Sequence, residues 1–190
     1  MQTKRLIFKN STGDRAYIYE NSIVVEFGVC RNGISTSELN GGYKKNFKIA
    51  FNHYLSQENI DFLENHSVND YLVRQSGILG IDPKFTTGLL TSAQMENACV
   101  VTKQYRNLEV SAITTAGVRV NASRAGDSAS YYEENGDFQF DVGTINVIIL
   151  TNVCLEPGTL ANGLVTATEA KTVALSNLRI PSQFSNGFAT

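Results

Sequence analysis

At 190 residues with a formal net charge of −2, the chain is long enough to bury one core and carries no basic field for nucleic acid or anionic lipid. Its charged fraction is 18%, while Asn, Ser, Thr and Gly are abundant, so the surface suits neutral hydrogen-bonding ligands better than phosphates. Cys30, Cys99 and Cys154 are odd in number and lack a Cys-x-x-Cys pair, which argues against a disulfide framework and structural zinc.

The N-terminus, MQTKRLIFKN, has neither a signal peptide nor a membrane span, so the cytoplasm is the expected compartment. Lys4 to Asn10 and Arg15 to Glu20 read as strands joined by the turn Ser11-Thr12-Gly13-Asp14, and Ser22 to Phe27 as a third. The next segment has no helical period and carries Asn40-Gly41-Gly42, which permits positive φ and suits either a turn or ligand contact. Phe47 to Tyr54 reads as a strand ending in Asn52 and His53. Gln57 to Gly80 reads as helical, with Ser67 to Asp70 as a capping box. Val68, Tyr71, Leu72 and Ile78 are expected to face inward, and Gly77 or Gly80 to end the run. Phe85 to Ser92 and Ala98 to Thr102 are further strands. Each cysteine reads as a small buried hydrophobe.

The central stretch, Leu108 to Asn152, is bounded by two strands. Leu108, Val110 and Ala112 alternate with Glu109, Ser111 and Ile113, whereas Val147 to Leu150 is a continuous apolar run, the pattern of a strand covered on both faces. Thr114, Thr115, Ala116 and Gly117 close the first strand. Thr144, Asn146, Ile148, Leu150 and Asn152 share one face of the second, because side chains repeat every second residue. Asn146, among Ile145, Val147 and Ile148, must find hydrogen-bond partners. It either pins a neighbouring backbone, or the strand ends converge on one polar pocket.

A last helix is expected from about Thr159 to Leu178. Leu160, Leu164, Ala167, Ala174, Leu175 and Leu178 form one stripe with Lys171 in its middle, and Glu169 points away. Lys171 either snorkels to the edge or is held by a buried partner. With no repeat and no linker, the expected fold is a single α+β domain, a mixed β-sheet with a few helices packed on it.

There is no Walker loop, dinucleotide fingerprint, His-Glu-x-x-His or Gly-x-Ser-x-Gly. The two histidines, His53 and His66, cannot build a His-rich metal site. His53 reads as a satisfied core histidine ahead of a base.

An ordered set of blocks is informative: Asn40-Gly41-Gly42; Gly88-Leu89-Leu90-Thr91-Ser92-Ala93; Thr114-Thr115-Ala116-Gly117 with Asn121 and Gly126-Asp127; Gly143-Thr144-Ile145-Asn146; and Thr166-Ala167-Thr168-Glu169-Ala170-Lys171. This succession resembles the adenosylcobinamide amidohydrolase family of corrinoid salvage over roughly residues 35–190, most specifically over residues 111–171. The resemblance implies one domain over residues 1–190. It also implies hydrolysis of the amide that joins aminopropanol to the corrin side chain, giving adenosylcobyric acid. The family pattern continues past Phe188-Ala189-Thr190 into a Gly-Thr-Gly-Thr-Asp segment that this chain lacks. The partner implied is a corrinoid small molecule, with no nucleic acid or membrane, and a homo-oligomer stays open. No cofactor or metal of the protein's own is expected, since the cobalt corrinoid is the substrate.

On this resemblance Glu169 or Asp127 activates water, and Lys171 assists the oxyanion or holds Asp127. Backbone N–H groups at Thr115 to Gly117, with Asn121 or Asn146, hold the oxyanion. In a covalent alternative Thr114 or Thr115 attacks. Asn40, Gly41, Gly42, Thr91, Thr114, Gly117, Asn121, Thr144 and Asn146 are the expected substrate contacts, because Asn and Thr can donate and accept toward carboxamides. The alternative is a corrinoid-binding protein without catalysis.

Overall fold

In the computed structural model, which describes residues 3–63, 65–118, 122–128, 133–134, 137–138 and 144–190, the expected N-terminal hairpin forms from β1 (Arg5–Lys9) and β2 (Arg15–Tyr19). Strand β3 (Ser22–Ser35) runs eight residues past the expected Phe27 and pairs with the 13-residue β4 (Gly42–Tyr54). Register shifts between Glu26 and Arg31, and again before Gly33, break the alternation, which is why the sequence pattern does not mark this arm as sheet. Helices α1 (Gln57–Leu63) and α2 (Val68–Leu79) then carry the chain to β5 (Thr86–Thr91), which lies parallel to β4. The remaining elements are β6 (Cys99–Tyr105), β7 (Leu108–Ala116), the two-residue strands β8 (Glu133–Glu134) and β9 (Asp137–Phe138), β10 (Ile145–Thr151) and α3 (Pro157–Asn177).

The architecture is α+β, with two main sheets where a single mixed one was expected. One is five-stranded in the order β1-β2-β3-β4-β5; the other is antiparallel in the order β10-β7-β6. They stay separate because side chains occupy the outer edge of β5. Asn40 Nδ2 donates to the Thr86 carbonyl at 2.8 Å, Ser37 Oγ bonds both the N–H and the carbonyl of Gly88, and Asn146 Nδ2 donates to the Leu90 carbonyl at 2.8 Å. Three side chains stand where a sixth strand would pair.

The layering follows from burial. Ile23, Val25 and Ala50 on one face of the larger sheet pack with Ile113 of β7 and Leu150 of β10. Val24 and Phe51 on its other face pack with Leu72 and Leu79 of α2. A strand covered on both sides shows continuous burial, as Ser22 to Val25 do. Gly88 must lack a side chain, because a Cβ there would overlap the Phe51 ring. Gly88→Ala is expected to cost about 1–3 kcal/mol in urea unfolding, and a neutral result would mean that Phe51 has room to move.

The smaller sheet is an outer layer. Its β7 buries Glu109, Ser111, Ile113 and Thr115, so the more polar half of the alternation faces inward. Ser111 Oγ is matched to Thr102 Oγ1 at 2.8 Å, while Glu109 accepts from Ser11 Oγ at 3.0 Å and Gln104 Nε2 at 3.2 Å. The expectation that β10 is covered on both faces is corrected: Asn146 and Leu150 are buried, but Ile149 is 46% exposed.

Helix α2 begins and ends as its sequence indicates. The Asp70 N–H donates to Ser67 Oγ at 3.0 Å, and Gly80 takes φ +70° as the C-cap. Tyr71 and Leu72 are buried, whereas Ile78, expected to face inward, is exposed. The stripe on α3 is corrected too, since of its residues only Leu175 is buried. It packs with Ala122 and Ala189, against which Ile145 also lies. Val165 and Val173 are both exposed on this helix. All three cysteines are exposed rather than buried. Among the described residues no helix is long and apolar enough to cross a membrane.

Candidate functional site

The polar residues at the strand ends do converge. Asn52, the residue on β4 that the sequence marks only as a strand end, donates from Nδ2 to Thr115 Oγ1 at 2.8 Å. Asn146 Nδ2 donates to Asn52 Oδ1 and to the Leu90 carbonyl, both at 2.8 Å, and Thr144 Oγ1 donates to Asn146 Oδ1 at 3.0 Å. Thr91 lies at the same strand ends, its Oγ1 accepting from the Ala93 N–H at 3.0 Å. Gly117 sits against Ser92 and Ala93, and its N–H donates to the Thr144 carbonyl at 3.1 Å. The structure therefore gathers Thr91, Thr115, Gly117, Thr144 and Asn146 where β4, β5, β7 and β10 meet.

Chemically this set is saturated. Thr115 is 2% exposed, both donors of Asn146 are engaged, and the Gly117 N–H expected at the oxyanion is taken by Thr144. The relay pins one sheet to the other. Thr114 points to the opposite face of β7, in register with Val147 and Cys99.

His53, next to Asn52, is held at both ring nitrogens, by Ser22 Oγ at 2.8 Å and the Tyr71 hydroxyl at 3.0 Å. Burial pushes its pKa down to about 4 and pushes that of Tyr71 up to about 12, the latter opposed by the Arg74 charge. His53 is thus a satisfied, neutral core histidine. With a folded pKa below the unfolded 6.5, its contribution is full above pH 6.5 and is lost as pH falls toward 4. We expect about 2 kcal/mol less stability at pH 5 than at pH 7.5 in urea titrations, and equal stability at both would contradict this environment.

The other expected residues lie elsewhere. Asn40, at φ +54°, spends its amide on the Pro83 and Thr86 carbonyls at 2.7 and 2.8 Å. Gly41 has no room for a Cβ against the Ser37 carbonyl, and Gly42 takes φ +74°. Asn40 thus stands at the start of β5, about 17 Å of strand from Thr91. Asp127 accepts from Ser182 Oγ at 2.6 Å, from Ser185 Oγ and from the Arg124 N–H at 2.7 Å; those hydrogen bonds, Ser182 first, hold its carboxyl below the usual range. It fastens the C-terminal segment to the loop at Ala122 and Ser123, where Gln183 and Thr190 also bond. Glu169 is exposed on α3, whereas Lys171 is half-buried. Asn121 lies outside the described residues.

A second feature is a cleft of about 810 Å³ between the β3–β4 arm, β10 and α3. Phe27, Tyr43, Lys45 and Phe47 line it from the arm, Thr87 and Leu89 from β5, Val147 to Thr151 from β10, and Leu160, Leu164 and Ala167 from α3. Among the described residues, none of the site residues expected from the sequence is on its walls. Cys30 and Cys154 are.

Charged groups on the described walls are Arg31, Lys45 and Glu156. Arg31 is committed: it pairs with the fully buried Asp14 at 2.6 Å and donates to the Thr151 carbonyl at 2.9 Å. Asn32 Nδ2 donates to the Leu155 carbonyl at 2.6 Å, so two adjacent residues of β3 tether the chain between β10 and α3. No alternation marks Tyr43, Lys45 and Phe47 in advance, because the register shift between Arg31 and Gly33 breaks the repeat of β4 between Lys44 and Phe47. Among the described residues no cluster of three or more His, Cys, Asp or Glu could hold a metal ion.

Comparison with known proteins bears on the whole chain. The model of the adenosylcobinamide amidohydrolase family, CbiZ, matches residues 7–190. A curated relative, the uncharacterized protein MJ1613 of Methanocaldococcus jannaschii, is 33% identical over 174 residues, covering 85% of this chain. The chain spans 65% of that relative's length. No solved structure matches significantly.

Proposed function

Because this chain belongs to the adenosylcobinamide amidohydrolase family, we propose that it hydrolyses the amide linking aminopropanol to the corrin side chain, in cytoplasmic cobamide salvage. Water adds to the amide carbonyl, the C–N bond breaks, and the products are a corrin carboxylate and protonated aminopropanol. The observation that carries this reading is the family match over residues 7–190.

The cleft supports it. Its volume, about 810 Å³, is in the upper range of small-molecule sites, and an apolar wall faced by Asn32, Ser35 and Thr87 suits a macrocycle fringed with carboxamides. Lys171 is not itself on the wall, but it is half-buried one helical turn beyond the wall residue Ala167, which favours it as the cation that polarises the carbonyl. Glu156, immediately before α3, is a carboxylate on the cleft wall. We assign it the activation of water in preference to Glu169, which is off the cleft wall, and Asp127, which is bound to two serines.

Incubation with adenosylcobinamide in the dark, followed by chromatography, should yield free aminopropanol and an acidic corrinoid. Glu156→Gln and Lys171→Met are each expected to lower kcat by about a hundredfold, and Glu169→Gln by less than about twofold. Full activity in Glu156→Gln would remove that residue from the mechanism. A corrinoid-binding role without catalysis is the second reading, favoured by the saturation of the strand-end hydroxyls and amides. Tight corrinoid binding with no aminopropanol released would select it.

A further inference from the structure

The cleft is chemically lopsided. Along β10 and α3 its lining is aliphatic, with Val147, Ile149, Leu160 and Leu164, whereas the opposite arm presents Tyr43 and Lys45. Tyr43, Lys45 and Phe47 all line the cleft, although the register shift between Arg31 and Gly33 breaks the two-residue repeat of β4 between Lys44 and Phe47. Phe47 is buried and packs close to Gly33, where a Cβ would lie 3.1 Å from its ring, so the two strands of the arm are held tightly together at that point. Tyr43 is half-buried, and its register partner across the arm is Ile34. Among the described residues neither its hydroxyl nor the Lys45 ammonium has a hydrogen-bond, ion-pair or ring partner.

An aromatic side chain with an unpaired cation, across the cleft from its aliphatic β10 and α3 wall, suits a flat, nitrogen-rich ring. Such a ring stacks on the phenol face, and its ring nitrogens or an attached ribose accept from the ammonium. The aliphatic wall suits the broad face of the macrocycle. Resting on the function proposed above, we infer that the Tyr43–Lys45 face of the β3–β4 arm is the subsite for the adenosyl group carried on the cobalt, and so sets the preference for the adenosylated substrate. Tyr43 acts in specificity, apart from the amide chemistry assigned to the α3 side of the cleft.

The test compares two corrinoids that share the ring and the aminopropanol arm: adenosylcobinamide, and dicyanocobinamide with cyanide in place of the adenosyl group. Binding of each is measured by equilibrium dialysis in the dark to the wild type, Tyr43→Leu and Tyr43→Phe. Tyr43→Leu should weaken adenosylcobinamide about tenfold and dicyanocobinamide less than twofold, while Tyr43→Phe, which keeps the ring, should retain the wild-type ratio. An unchanged ratio in Tyr43→Leu, or an equal loss for both ligands, overturns the assignment and leaves the amidase reading standing. If the wild type binds neither corrinoid, the functional reading itself fails.

Discussion

Replacing Asn146 with alanine is expected to destabilise the protein by about 3 kcal/mol, an effect set by the groups it would leave behind. Its amide nitrogen satisfies Asn52 Oδ1 and the Leu90 carbonyl, and its oxygen accepts from Thr144. Asn52 is 3% exposed, so its orphaned oxygen has little access to solvent. Two buried acceptors without donors cost about 1–3 kcal/mol each, and partial relaxation offsets some of that. Urea unfolding at neutral pH measures the loss. A change below about 1 kcal/mol would mean that water reaches the junction and that the relay is not a tight pin between the sheets. The same variant should weaken corrinoid binding, since Val147, the next residue, is on the cleft wall.

Arg31→Met should cost a similar amount, about 3 kcal/mol, for a different reason. Asp14 is fully buried, and removal of one partner leaves an uncompensated charge. Asn10 Nδ2 at 2.8 Å and the Gly28 N–H at 3.0 Å would still reach that carboxylate, which keeps the loss below the upper end for broken buried pairs. The pair is largely dry, so the loss should differ little between low and high salt. Replacement of the exposed Lys4–Glu26 pair should cost less than about 1 kcal/mol and fade with salt. Thermal and urea unfolding of both variants at two ionic strengths checks this contrast, and a salt-sensitive Arg31 variant would place the pair in solvent.

Several elements were legible locally. The N-terminal hairpin, α2 with its Ser67 and Gly80 caps, β5, and the facing of Asn146 and Leu150 on β10 all follow from turn residues, capping chemistry and the two-residue repeat. The β3–β4 arm was not legible, because bulges around Arg31 shift the repeat and the segment reads as turns. The face of β7 was equally open. Leu108, Val110 and Ala112 are the more apolar set, yet Glu109 and Ser111 go inward because Ser11, Gln104 and Thr102 come from other segments to bond them. Likewise the stripe on α3 signals a helix with an apolar face, but nothing along the chain says that Leu160 and Leu164 would border a cleft while Leu175 is buried.

The sequence by itself determined the family, through an ordered set of short blocks, and determined that Asn146 would need hydrogen-bond partners, since a polar group in an apolar strand must be paired when buried. Only the tertiary structure decided that Asn146 and Thr115 meet through Asn52 and spend their hydrogen bonds on holding two sheets together. It also decided that the open, chemically unspent surface is a cleft bordered by Tyr43, Lys45 and Glu156. The physical reason is range. Caps, turns and alternation act between neighbours in the chain, whereas saturation of a polar group and the opening of a cleft depend on residues tens of positions apart, whose approach leaves no local mark.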